Sequence, residues 1–163
     1  MIKKILRNLA VLFKPLTVHT EAIVLDSVWE KVKQKALSKK IYKWYVMTPA
    51  NYKFSKAFLN IKMSKQEFSK KLKERYLWLI KNNQKIELHI HLNPVMNITP
   101  KEQEKMFKES LEWINKELKI VVQEFAPGWW KYNKATLEIL RKYNLKLIKP
   151  ADYKSVHDFD WLK

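Results

Sequence analysis

His89 and His91 stand one residue apart in the stretch KIELHIHLN, residues 85–93, where apolar and polar residues alternate. Successive side chains on a β-strand point to opposite faces, so Glu87, His89 and His91 share one face while Ile86, Leu88 and Ile90 share the other. Neutral imidazoles and carboxylates are the donors that zinc and similar divalent ions take, with open positions left for water and substrate. A His-x-His pair also serves as the wet face of a strand, and alone it does not separate the two readings. The same residue types recur in LTVHTEAIVL, residues 16–25, where Thr17, His19 and Glu21 fall on one face. If these segments are neighbouring parallel strands, their ends bring together three imidazoles (His19, His89, His91) and two carboxylates (Glu21, Glu87). The fourth histidine, His157, sits with Asp158 and Asp160 in VHDFDW near the C-terminus, where the cluster reads either as closing the site or as a frayed polar tail.

Strands must hold these side chains, and the chain alternates strand-like with helix-like segments after Pro15. Residues 16–25 read as a strand and its turn, and residues 26–40 as a helix with Ser27 and Glu30 in capping-box spacing. Residues 41–50 read as a second strand ended at Pro49, and 51–63 as a loop with some helix. Ser64 and Glu67 open a helix running to Lys81; Thr99, Pro100 and Glu102 open another running to about Leu118. Residues 119–127 read as the fourth strand, Asn133 starts a helix that Asn144 stops, LKLIKP is a short fifth strand, and the tail is irregular. Strands alternating with helices imply βαβ crossovers, hence an α/β fold with a mainly parallel sheet or barrel. Such folds gather functional groups beyond the carboxyl ends of their strands.

Composition narrows the chemistry. The 163 residues carry no Gly/Ser/Pro-rich linker and read as one domain over residues 1–163. With no cysteine, thiolate metal sites, disulfides and cysteine nucleophiles are excluded, and a reducing, cytoplasmic location fits. With one glycine, Gly128, neither a P-loop nor a G-x-G-x-x-G loop can be written. Lys plus Arg exceed Asp plus Glu by 33 − 16 = 17. That excess fits either a solvated Lys-rich surface, since the lysines are spread over every helix, or contact with nucleic acid, anionic polymers or anionic membranes. The N-terminal stretch MIKKILRNLAVLFKP has too short an apolar run for a secretion signal and reads as mature sequence. Its apolar face (Ile2, Ile5, Leu6, Leu9, Phe13) fits packing on the domain or peripheral membrane contact.

The fourth strand ends in EFAPGWW, where the single glycine precedes two tryptophans. Placed there, Gly128 marks a backbone geometry that other residues do not adopt. Trp129 and Trp130 either anchor the loop or stack on a pyranose face.

The order of ELHIHLN, a long helix, EFAPGWW and NKATLEILRKYNLKLI resembles the polysaccharide deacetylases, carbohydrate esterases with a nodulation-protein-type domain. LTVHTE falls where that family's Asp-Asp motif ends the first strand, YVMTPANY where its second strand brings an apolar run, and the resemblance covers roughly residues 15–150. It implies a distorted or incomplete (β/α) barrel and a divalent metal, zinc by preference. It also implies hydrolysis of acyl groups on a carbohydrate, with Gly128, Trp129 and Trp130 lining the substrate groove. His89 matches the first metal-binding histidine; the second comes four residues later in the family, where this chain has Asn93, so His91 substitutes and Asn93 falls to the substrate side. The family's base and metal-binding aspartates fall on His19, Thr20 or Glu21, which assigns His89, His91 and Glu21 (or His19) to the metal and Glu21 or His19 to catalysis. Ala126 replaces an arginine that orients the base, and a late Leu-x-His motif is present only if His157 serves. The alternatives are a glycan- or anionic-polymer-binding protein with lapsed catalysis and a nucleic-acid-binding protein.

Overall fold

The computed structural model describes residues 16–38, 42–92, 98–150 and 154–162. The readings of the N-terminal face and of Asn93 lie outside these residues. The described residues form six strands, β1 (Leu16–Thr20), β2 (Lys43–Val46), β3 (Lys85–Ile90), β4 (Glu124–Pro127), β5 (Lys146–Leu147) and β6 (Lys154–His157). The α-helices between them are α1 (Asp26–Ala36), α2 (Tyr52–Leu59), α3 (Lys65–Lys81), α4 (Pro100–Trp113) and α5 (Lys134–Lys142). All strand pairs are parallel, in the order β5-β4-β3-β2-β1-β6. From β1 to β5 the strands step across the sheet in chain order, as in a (β/α) barrel, and β6 returns to the outer side of β1. β5 and β6 do not pair, so the barrel stays open between them.

Period-2 alternation sorts the strand residues. Val18, Trp44, Val46, Ile86, Leu88, Ile90 and Phe125 pack with Val28 and Val32 of α1, Phe68, Leu72 and Tyr76 of α3, Phe107 of α4 and Ile139 of α5 in one core. The opposite, inner face carries a smaller apolar group, Tyr45, Ala126 and Ile148, with Trp130 against it. Lys43 and Tyr45 both donate to the Glu124 carboxylate on that face, at 2.7 and 2.5 Å. The histidines therefore belong to the interior of an opened barrel, not to a wet outer surface.

Local chemistry sets the helix ends. Ser64 with Glu67, and Thr99 with Glu102, form the expected capping boxes, and Pro100 takes the first position of α4. Asn133 with Thr136 caps α5. The box expected at Ser27 and Glu30 is not formed: Leu25 is the N-cap, without a side-chain cap, and Glu30 instead pairs with Lys33 at 2.8 Å. The aromatic run after residue 51 is helical, as α2, stopped by Asn60 in the left-handed region (φ 50°). The helix opened at Thr99 runs to Leu118 as expected, its last turn, Ile114–Leu118, being π-helical and ended by the left-handed Lys119; the fourth strand is shorter than expected, beginning only at Glu124. The tail is also ordered: β6 is followed by a 3₁₀ turn, Asp158–Leu162. No helix among the described residues is long and apolar enough to cross a membrane.

The turn leaving β1 depends on Arg75 of α3, which is 7% exposed and donates to the carbonyls of Ile23 and Leu25 and to the Asp26 carboxylate. Asp26 is exposed, so solvent screens the ion pair and the buried carbonyls carry the effect. Arg75→Met should therefore cost about 1–3 kcal/mol by leaving those carbonyls unpaired. Urea unfolding measures this, and an unchanged midpoint would contradict it.

Candidate metal centre

β1 ends at Thr20, and the next residue, Glu21, is 5% exposed. β3 ends at Ile90, so His89 lies in the last turn of the pleat and His91 just past it, both buried. β1 and β3 are not neighbours, because β2 lies between them. Glu21 nonetheless reaches the histidines beyond the end of β2. Its Oε1 lies 3.5 Å from His89 Nε2 and 3.3 Å from His91 Nε2, and the two Nε2 atoms are 3.1 Å apart. Glu21, His89 and His91 form a group able to hold a metal ion.

The triangle can be tested against the ion it would hold. Zinc takes histidine nitrogen and carboxylate oxygen at about 2.0–2.1 Å in a tetrahedron, whose edge is then about 3.3–3.4 Å. Sides of 3.1, 3.3 and 3.5 Å fit one face of that tetrahedron. Backbone contacts prepare the donors. His89 Nδ1 donates to the Ala126 carbonyl at 2.9 Å, which fixes the tautomer and turns the Nε2 lone pair towards the triangle. His91 lies flat on Phe54, with centroids 3.9 Å apart and planes at 13°. Its Nδ1 is buried without a partner among the described residues.

Gly128 closes the other side of His91, and its role differs from the expected one. Its φ is not positive, so backbone freedom does not explain it. An added Cβ would lie 2.3 Å from His91 Nδ1 and 2.4 Å from Cγ, so the glycine leaves space for the ring. The left-handed residues are instead Trp129 (φ 48°) and Trp130 (φ 59°). That turn splits the tryptophans. Trp129 stands edge-on to His91, 5.1 Å away, and is 40% exposed. Trp130 is half-buried and packs on His19, 5.1 Å away.

The other site candidates divide. His157 pairs in register with His19 across β6 and β1, and its Nδ1 donates to both Glu21 oxygens at 3.2 Å. Asp158 is fully buried, and its Oδ1 accepts the backbone N–H groups of Glu21 and Ala22 at 2.7 and 2.9 Å. His157 and Asp158 thus close the site, while Asp160 is exposed. His19 lies among Tyr45, His89, Trp130 and His157, with neither ring nitrogen partnered among the described residues, and is outside the metal-ligating group. Glu87 does not join. Its carboxylate accepts the backbone N–H groups of Gln123 and Glu124, each at 2.8 Å, at the start of β4. Phe54 was not legible as a site residue, and its only trace in the sequence is the aromatic clustering of residues 52–58.

Electrostatics agree with the geometry. Burial pushes the Glu21 carboxyl up, but the contacts with the His157, His89 and His91 rings overcome it and hold the group well below the usual carboxylate range. The same contact raises His157, against the opposing effect of its own burial. Burial pulls His91 down to about 4, and burial with the His89 and His157 rings pulls His19 down to about 2. Burial pushes Asp158 up to about 8, against its two backbone hydrogen bonds. Near neutral pH the triangle therefore holds a carboxylate and a neutral His91, the forms a metal takes.

No protein-family sequence model matches the chain, and no curated protein matches it in sequence. Solved structures do share its fold. It aligns over 84% of its length with 62% of a family 4 carbohydrate esterase from Streptomyces lividans in complex with acetate, at TM-score 0.56 and 11% identity. It aligns over 83% with 56% of a peptidoglycan deacetylase from Bacillus subtilis (TM-score 0.52, 13% identity). A family 4 pseudoenzyme from Bacillus anthracis aligns over 83% of this chain and 42% of its own (TM-score 0.53, 13% identity). The chain thus has the α/β fold of these esterases and spans about half the length of the structures it matches.

Two outcomes follow. Zinc should bind at one ion per chain, and Gly128→Ala should weaken it at least about tenfold by displacing His91; calorimetric titration showing equal affinities would contradict the packing argument. In metal-free protein the unfolded chain takes up protons on His19 and His91 below about pH 6.5, whereas the folded chain does so only near 2 and 4. Both contributions are present above pH 6.5 and shrink as pH falls, each by about 1.4 kcal/mol per pH unit. Asp158, pushed up to about 8, opposes them with one slope of the same size, because the folded chain keeps a proton there that the unfolded chain has lost above about pH 4. Urea midpoints between pH 6 and 5 should therefore fall with the net slope of about one group, and His19→Leu should flatten the profile.

Proposed function

We propose that this chain is a divergent polysaccharide deacetylase-like protein that binds a divalent metal, zinc by preference, and removes acyl groups from a carbohydrate. The observation that carries the reading is the triangle of Glu21, His89 and His91 donors, closed by His157, at the carboxyl ends of strands in this fold. A metal there would polarise an acyl carbonyl and lower the pKa of water it holds to about 7. Glu21 supplies the anionic donor, and His89 and His91 supply their Nε2 atoms.

Proton transfer falls to His157 rather than to the two residues first assigned to it. Glu21 is committed as a donor, and His19, held down to about 2 by burial, takes no proton near neutral pH. His157 is the most exposed group of the cluster at 30%, and the Glu21 contact raises its basicity. With Nδ1 on Glu21, its Nε2 exchanges the proton with water or the leaving group. Trp129 offers its exposed ring beside His91 to a sugar face.

A second reading, a carbohydrate-binding protein whose catalysis has lapsed, is favoured by Ala126. Its backbone carbonyl accepts from His89 Nδ1, and its methyl side chain stands where the family places an arginine. Acetate release from N-acetylated oligosaccharides by the zinc-loaded protein separates the two. Release that falls at least about a hundredfold in His157→Gln supports the hydrolase; oligosaccharide binding without release supports the second reading.

A further inference from the structure

The chain positions Glu21 from a place the fold does not otherwise require. β1 and β6 pair from Leu16 with Lys154 to His19 with His157, and there the ladder stops. Beyond it the N–H groups of Glu21 and Ala22 need acceptors, and Asp158, the residue after β6, supplies both from one carboxylate oxygen at 2.7 and 2.9 Å. Its other oxygen is buried without a partner among the described residues. A fully buried acid is costly, and packing the base of β6 alone would favour an apolar residue. The turn that carries Glu21 is what gains.

The segment holding Asp158 is itself anchored. Lys31 of α1 donates to the Trp161 carbonyl, and Lys35 lies 5.2 Å over the Trp161 ring. His157 holds the Glu21 carboxylate from the same segment. One short stretch, His157 and Asp158, thus grips Glu21 at its side chain and at its backbone.

We infer that Asp158 is a positioning residue for the metal centre: its carboxylate oxygen fixes the backbone at Glu21 and Ala22 so that the Glu21 carboxylate meets His89 and His91. This rests on the reading that those three residues hold a metal. The acceptor oxygen does the holding, so asparagine, which keeps that oxygen, should substitute and alanine should not.

The test titrates zinc alone into the full chain against a chelating indicator, for wild type, Asp158→Asn and Asp158→Ala, and follows amide hydrogen exchange at Glu21 and Ala22 in metal-free protein. Zinc affinity should stay within about threefold in Asp158→Asn and fall at least about tenfold in Asp158→Ala, with exchange protection of the two amides kept in the first and lost in the second. A purely structural role would lower the urea midpoint of Asp158→Ala and leave the zinc affinity of its folded fraction unchanged, which overturns the inference while the metal reading stands. Absence of zinc binding by wild type removes the metal reading and the inference with it. If Asp158→Ala does not fold, the asparagine variant decides: a tenfold loss there overturns the proposal.

Discussion

A carboxylate that is 5% exposed and ringed by three imidazoles is the constraint on which this structure turns. An isolated buried charge of that kind is strongly unfavourable, and partners must offset its desolvation. The proton on His157 Nδ1 supplies part of the offset, and a cation held among Glu21, His89 and His91 would supply the rest. Hence the surroundings of Glu21 combine packing with hydrogen bonding: Gly128 leaves room for His91, the backbone carbonyl at Ala126 sets the His89 tautomer, and the Asp158 side chain holds the Glu21 backbone.

The strand order makes this convergence possible. Because β1 to β5 step across the sheet in chain order, one face meets the helices and the other turns inwards. Side chains past the ends of β1 and β3 can then meet across β2. β6 completes the arrangement by pairing with β1 at the open edge, which places His157 beside Glu21. The barrel is not closed, yet the end that gathers Glu21, His89, His91 and His157 is assembled.

The parts of this that could be read from the sequence are those with local signatures. The capping boxes at Ser64 and Thr99, the alternation in KIELHIHLN and the α/β pattern all follow from short-range rules. The joining of His89, His91 and Glu21 was legible because each stands at a strand end, although the neighbouring of β1 and β3 was not: strand order is a long-range property. Ser27 and Glu30 had the spacing of a cap without forming one, because Leu25 is the N-cap and the helix begins at Asp26, which puts Ser27 inside its first turn. The tail misled for a related reason. Its strand is four residues long, and Asp158 is an acid at full burial, a place composition assigns to apolar residues. Gly128 was correctly marked as special, but the reason is a neighbouring ring and not its own dihedral angles.

The central claim is that Glu21, His89 and His91 together bind a metal ion, and X-ray absorption at the zinc edge of the loaded protein tests it most directly. The account predicts a four-coordinate site with two imidazoles and only nitrogen and oxygen donors at about 2.0–2.1 Å, losing one imidazole in His91→Ala. Zinc in a six-coordinate, water-rich environment, or a spectrum unchanged by His91→Ala, would contradict it.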